Sequence, residues 1–331
     1  MAGNLYVHFP FCRRKCAYCA LYSQVGASAS VREDAVRRLA GEIGRLPASQ
    51  VFSTVYFGGG SPALCNLSGL AAALRPHCRA ETEFTVELHP LDVTDEKLDE
   101  LKSMGVNRIS MGVQSLDDAT LAAMGRGYAL AEAEDAFRRV RRFFDNAGID
   151  LIVGYPGDPC TGWSRLADWG LRHCSVYSLQ NDRALHGVPD DDVVLDRIRD
   201  VAAILKSWGL ERYEISNYAV PGFECRHNLA VWRGEDYLGL GEGAFGRLGL
   251  RRTQVRRSGC VETAVSPEED LKERTLFRLR TREGLDATRF PAWTAALAPF
   301  VREGLLVQAG SVYRLTERGT EVCDSILAEL V

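Results

Sequence analysis

The sequence predicts an α/β protein built on a parallel sheet, and three observations carry that prediction. Apolar runs of strand length recur, segments with apolar residues at helical spacing separate them, and three cysteines follow the first run directly. The strand-like runs are 4–8, 51–57, 84–88, 106–111, 149–153 and 176–179, with a seventh strand expected at 213–216. The intervening 31–46, 67–77, 95–104, 130–146 and 162–173 set charged residues opposite their apolar positions, as crossover helices do. Such units form either a doubly wound sheet or part of a barrel. Both arrangements put function on loops at the carboxyl ends of the strands, where the cysteines fall.

Beyond Gly249 the character changes. Residues 250–257 contain four arginines and 261–269 are polar, so a junction is expected there, dividing the chain into 1–250 and 251–331. The second part reads as a small helical domain with a wing. It has a helical pattern at 271–280, one or two helices within 290–303, strands at 305–307 and 312–315 across the Ala309-Gly310 turn, and a last helix at 320–330. Winged modules often bind DNA, but the balanced charge of this one favours packing or partner contact.

Composition narrows the classes. A hydrophobic share of 46% with 25% charged residues excludes a disordered or fibrous chain. Forty basic against forty-four acidic residues leave a net charge of -4, which supplies no general field for nucleic acid. The N-terminus lacks the basic-then-apolar order of a secretory signal and no long uncharged apolar run occurs, so neither export nor a membrane span is expected and the protein reads as cytoplasmic. In that compartment close thiols indicate metal or redox chemistry rather than disulfides. Of ten cysteines only Cys12, Cys16 and Cys19 cluster, and the other seven read as small buried hydrophobes.

Spacings of four and three allow one loop to wrap three thiolates round a single inorganic centre. A closed zinc site wants four protein ligands, and no fourth cysteine or histidine follows closely. A [4Fe-4S] cluster held by three thiolates keeps one iron open to an outside ligand. Arg13, Arg14 and Lys15 would offset cluster charge, or simply form an exposed cationic loop.

The CxxxCxxC pattern resembles that of radical S-adenosylmethionine (SAM) proteins. The runs Leu5 to Cys12, Gly58-Gly59-Gly60-Ser61-Pro62, Arg108 to Ser115, Asp150 to Gly157, Tyr213 to Tyr218 and Tyr237 to Ala244 narrow the resemblance to the oxygen-independent coproporphyrinogen III oxidase superfamily, across about the first three quarters of the chain. That resemblance implies a partial (β/α)6 TIM-like barrel, a [4Fe-4S] cluster on Cys12, Cys16 and Cys19, and SAM bound across the barrel top, followed by a small helical, winged-helix-like C-terminal domain. It also implies site roles: Gly58, Gly59, Gly60 and Ser61 against the methionine part of SAM, Tyr6 near cluster and SAM, Glu87 and Gln114 as polar SAM contacts, Arg126 at its carboxylate and Asp150 at its ribose. One electron from the cluster would then cleave SAM to methionine and a 5'-deoxyadenosyl radical.

Within that superfamily, Ala20 stands where the oxidases carry a fourth nearby cysteine. The stretch His227-Asn228-Leu229-Ala230-Val231-Trp232 resembles the HNxxYW mark of the heme-chaperone branch, with Val231 in place of the tyrosine. This branch implies heme bound near His227 and Trp232 and passed to an apo-hemoprotein, a reducing electron donor for the cluster, and the C-terminal module in recipient contact. A homodimer stays open as the assembly. The alternatives are an oxygen-independent coproporphyrinogen III dehydrogenase acting by SAM-dependent decarboxylation, and another radical-SAM reaction such as methyl transfer. Other departures from the pattern are Tyr128 where a histidine is usual, His89 in place of asparagine before Pro90, and a shortened loop between Tyr177 and Pro189.

Overall fold

A computed structural model describes residues 2–330. Six parallel strands succeed one another along the chain: β1 (Asn4–Phe9), β2 (Thr54–Gly59), β3 (Glu83–Leu88), β4 (Arg108–Gln114), β5 (Ala147–Val153) and β6 (His173–Ser178). Leu5, Val7 and Phe9 are buried with Val36, Leu39 and Ile43 of α1 (Ala29–Gly44) in the main core, while Tyr6 and His8 between them line a cavity. The two faces of one strand thus divide between core and site. Outer cover also comes from α2 (Ser68–Leu74), α3 (Asp95–Ser103), α4 (Asp118–Ala123), α5 (Leu130–Phe143) and α6 (Asp191–Ser207).

The crossover expected at 162–173 is not an α-helix. Gly162 and Gly170 both take left-handed backbone and enclose a 3-10 segment, Trp163–Trp169. Trp163, Leu166 and Trp169 recur every three residues, so the tighter winding buries all three together. The seventh strand expected at 213–216 is instead a turn. It joins β7 (Glu211–Arg212) to β8 (Asn217–Ala219), and β8 runs antiparallel to β6. Buried Tyr213 holds this turn in place, its hydroxyl 2.8 Å from His173 Nε2 and accepting from Cys225 N.

On the far side of β1, β9 (Tyr237–Leu240) adds in parallel and is followed by β10 (Phe245–Leu248), β11 (Arg251–Arg256) and β12 (Gly259–Ala264) in antiparallel order. Among the described residues these twelve strands form one open sheet in the order β12-β11-β10-β9-β1-β2-β3-β4-β5-β6-β8-β7. The arginine-rich stretch expected to be a junction is therefore an edge hairpin. Its side chains are mostly exposed, and an edge hairpin needs no apolar run to form.

A second, separate core gathers Leu276, Leu279, Leu285, Trp293, Leu297, Phe300, Leu306, Tyr313 and Ile326. It is enclosed by α8 (Pro267–Phe277), α9 (Trp293–Arg302), α10 (Glu317–Glu321) and α11 (Cys323–Leu330), with a small sheet of β13 (Leu285–Asp286), β14 (Leu306–Ala309) and β15 (Val312–Leu315). The wing and terminal helix read from the sequence are both present. Ion pairs of Arg199 with Glu321 and Arg274 with Asp236 tie this module to the barrel. All ten cysteines are free, and no helix among the described residues is long and apolar enough to cross a membrane.

Candidate functional site

The three cysteines follow β1: Cys12 ends a two-residue extended stretch, Phe11–Cys12, that pairs in parallel with Gln24–Val25, and Cys16 and Cys19 lie in the loop between the two. This loop is fastened to its surroundings at several points. Ala17 N donates to Met124 O, Ser61 N to Phe11 O, and Arg126 reaches Cys16 Sγ at 3.5 Å and the Tyr18 hydroxyl at 3.2 Å. Asp92, whose carboxylate is buried, pairs with Arg13 at 2.5 Å and accepts from Ser61 Oγ. Burial, then the Cys19 and Cys16 thiols, push the Cys12 thiol up to about 11. Three thiolates crowded in this way need positive charge between them.

A closed zinc site needs four protein ligands, and this segment supplies three sulfurs, from Cys12, Cys16 and Cys19. A mononuclear zinc draws every sulfur to about 2.3 Å from one centre. A cubane takes one thiolate per iron, so three thiolates hold it and leave its fourth iron open to an outside ligand. The donor set therefore fits an iron-sulfur cluster better than zinc.

The glycine loop after β2 is shaped by close approach. A side chain on Gly60 would strike Phe11 O and the Cys12 sulfur, and Gly59 combines a φ of +107° with contact to the His8 ring. Its backbone donors are already engaged, Gly59 N by Glu87 Oε2 at 3.0 Å and Gly60 N by Phe9 O. Glu87 also accepts from the Tyr56 hydroxyl at 2.8 Å, and burial followed by nearby Asp150 raises its carboxyl to about 7. Asp150 itself accepts from Ser110 Oγ. Gln114 sits at a break in the β4–β5 register with a φ of +79°. Arg126 donates to Gly112 O and Tyr128 Oη; burial opposes its charge, but Tyr18, Tyr128 and Cys16 hold the guanidinium ionised.

A cavity of about 860 Å³ opens between these residues and the β11 hairpin, lined by Tyr6, Tyr56, Glu87 and His227 within and by Leu21, Tyr22, Phe245, Arg256 and Arg257 farther out. His227 lies on α7 (Arg226–Trp232), whose first turn is capped by the Glu83 carboxylate accepting from Arg226 N and His227 N. Thr54 Oγ1 gives its proton to Asn4 Oδ1 and so accepts from His227 Nδ1 at 2.8 Å. That fixes the proton on Nδ1 and leaves a lone pair on Nε2. Burial, then Arg108, pull this imidazole down to about 3, so it is neutral.

Trp232 does not join His227. Five positions along a helix turn the side chain through about 140°, and Trp232 instead packs edge-on against Phe277 and beneath the Arg280 guanidinium of the second module. Val231, one turn after His227, does line the cavity. Sequence reading passed over Tyr56, which alternates with buried Val55 and Phe57 along β2 and pairs with Tyr6 of β1, and Asp92, which lies outside the motifs. The period-2 alternation of β2 was the available signal for Tyr56.

Residues 6–167 match the Radical SAM superfamily and residues 265–322 the HemN C-terminal domain. The chain is similar to "Heme chaperone HemW" of Mycobacterium tuberculosis, 32% identical with 99% of this chain and 94% of the relative covered, and of Escherichia coli, 29% identical with 98% and 97% covered. It is also similar to mouse "Radical S-adenosyl methionine domain-containing protein 1, mitochondrial", 31% identical over 84% of this chain and 68% of the relative. In fold it resembles the coproporphyrinogen III oxidase HemN of Escherichia coli, with a TM-score of 0.84 at 21% identity over 99% of this chain and 90% of that one. Membership of the superfamily implies a [4Fe-4S] cluster and SAM. The chain belongs to the radical SAM superfamily, in the HemN-like family and its HemW branch.

Proposed function

We propose that this protein binds heme in the cavity beside His227 and delivers it to an apo-hemoprotein. The observation that carries the reading is the state of His227: neutral, its Nδ1 proton committed to Thr54, and its Nε2 lone pair available on a residue that lines the cavity. Metal-ligating histidines are prepared in this way, the second nitrogen being held by a hydrogen bond. The cavity has the volume and the aromatic lining that a tetrapyrrole needs.

In the same reading Cys12, Cys16 and Cys19 hold the cluster, and Gly58 to Ser61 with Tyr6, Glu87, Gln114, Arg126 and Asp150 form the SAM side of the site. A bound cluster supplies one-electron reduction of SAM there. The chain's own residues exclude water and fix the loop: Arg126 clamps Cys16 and Tyr18 to β4, and Asp92 clamps Arg13 to Ser61. We assign the C-terminal module, from about residue 265, to recipient contact, a reduced electron donor to the cluster loop, and the cytoplasm as the place of action.

The test is anaerobic reconstitution followed by heme titration of wild type and His227→Ala, with 5'-deoxyadenosine measured in the same samples. Stoichiometric heme uptake that fails in the variant, with four irons and four sulfides per chain in both, is the expected result. A wild type that takes up no heme ends the reading.

A further inference from the structure

Five arginines lie between residues 247 and 257, and they fall into two groups. Arg247 and Arg252 pair with Asp270 and Glu273, and Arg251 pairs with Glu262. Arg256 and Arg257 make no ion pair among the described residues, and these are the two that line the cavity. Glu242, which lines the same cavity, accepts from Tyr22 Oη and Gln24 Nε2 and forms no ion pair with either arginine. Around them the rim is apolar: Leu21 and Phe245 are 56% and 58% exposed, and Tyr22 and Tyr177 are also uncovered.

An exposed apolar rim beside two guanidiniums that make no ion pair is the complement of a rigid, flat, apolar ligand that carries two carboxylates on one edge. We propose that Arg256 and Arg257 hold the two propionates of heme at the cavity mouth, with the macrocycle edge packed between Phe245 and Leu21. The assignment rests on the heme-binding reading and adds the orientation of the ligand. Propionates driven to the buried end would meet Glu87 and lose their hydration, whereas the mouth offers both water and positive charge. The opposite, uncharged edge of the ring then enters first, towards His227.

The experiment titrates the full reconstituted chain with ferric heme and with ferric heme dimethyl ester, in wild type, Arg256→Gln/Arg257→Gln and the ion-paired control Arg251→Gln. Heme should bind the double variant about tenfold more weakly than wild type, as loss of two charge-assisted contacts near solvent implies. The ester should bind wild type about as weakly as heme binds the double variant, and should not distinguish the two proteins. Arg251→Gln should match wild type, and Arg256→Lys/Arg257→Lys should keep most of the affinity. Equal heme affinity in wild type and double variant overturns the propionate assignment while leaving heme binding intact. An ester that loses as much as heme does also overturns it. No heme uptake by wild type overturns the underlying reading, and the assignment with it.

Discussion

The rings of His89 and Tyr128 meet edge to face, 5.2 Å between centroids and 77° between planes. These are two positions at which the chain departs from the family pattern, a histidine being usual at 128 and an asparagine at 89. The two positions are in direct contact. His89 Nδ1 accepts from Leu91 N, while Tyr128 Oη donates to Val113 O and accepts from Arg126 Nε.

The pair should behave as one unit. Tyr128→His alone leaves a buried carbonyl and a guanidinium N–H without their partner and should cost about 1–3 kcal/mol. Combined with His89→Asn, the loss should be smaller than the sum of the two single changes by at least about 0.5 kcal/mol. Denaturant unfolding of all four proteins measures the coupling, and strict additivity would show that the contact is incidental.

Asp92 anchors the cysteine loop from outside the motif. Its buried carboxylate joins Arg13, next to Cys12, to Ser61, next to the glycine loop. Asp92→Ala should destabilise the protein by about 1–3 kcal/mol through the unpaired Ser61 and Arg13. It should also speed amide exchange across residues 12–19 in the cluster-free protein and lower iron and sulfide content after reconstitution. Unchanged exchange would deny Asp92 a positioning role.

What the sequence could and could not disclose follows from where each signal arises. The six parallel strands were readable because strands covered on both faces become apolar runs, as in Val55 to Phe57 and Ile149 to Val153. The hairpin Arg251–Ala264 was not, since its exposed faces need no apolar alternation. The 3-10 segment hid within a helical pattern because Trp163, Leu166 and Trp169 suit either winding over so short a span. Among site residues, the cysteines and glycines announce themselves by spacing. Glu83, which caps the helix carrying His227, lies 144 positions away from it and shares no local pattern. Trp232 shows the converse, a motif residue that helix geometry sends to another surface.

Glu87 should leave a mark on the pH dependence of stability. Its carboxyl is raised by burial and by Asp150 to about 7 in the folded protein, from 4.5. A raised carboxyl stabilises the fold at low pH, fully below about 4.5, and that contribution is lost as pH rises towards 7, by about 3 kcal/mol. Buried neutral His227 acts the other way, since acid protonates it more readily in the unfolded chain. The stability difference between cluster-free wild type and Glu87→Gln should therefore shift against wild type from pH 4.5 to 7 and then level off. A difference independent of pH across that window would refute the shift.

Trp232 is expected to matter for the joint between modules rather than for heme. Its ring lies 4.8 Å from the Arg280 guanidinium and 5.9 Å from the Phe277 ring. Trp232→Ala should cost about 2 kcal/mol through lost packing and cation–π contact, and should make the C-terminal module more open to limited proteolysis. Heme affinity should stay within about twofold of wild type. A loss of affinity without greater proteolysis would place the ring in the binding site after all.

Val231 stands one helical turn from His227 and lines the same cavity, so this position decides what a bound ligand meets beside the imidazole. With valine there, the polar side chains that α7 presents to the cavity are His227 and Asn228, and the Glu83 cap fixes the rotation of the helix that carries them. Val231→Tyr would add a phenol, able to donate to an iron-bound water or to coordinate ferric iron, whereas Val231→Phe would add the same ring without the oxygen. If His227 holds the iron, the tyrosine variant should shift the absorption bands of the ferric heme complex and raise affinity several-fold, about 1 kcal/mol, as a net hydrogen bond does. The phenylalanine variant should leave the bands in place and weaken binding by crowding the cavity. Identical spectra in all three proteins would place the iron away from α7 and remove His227 from its coordination.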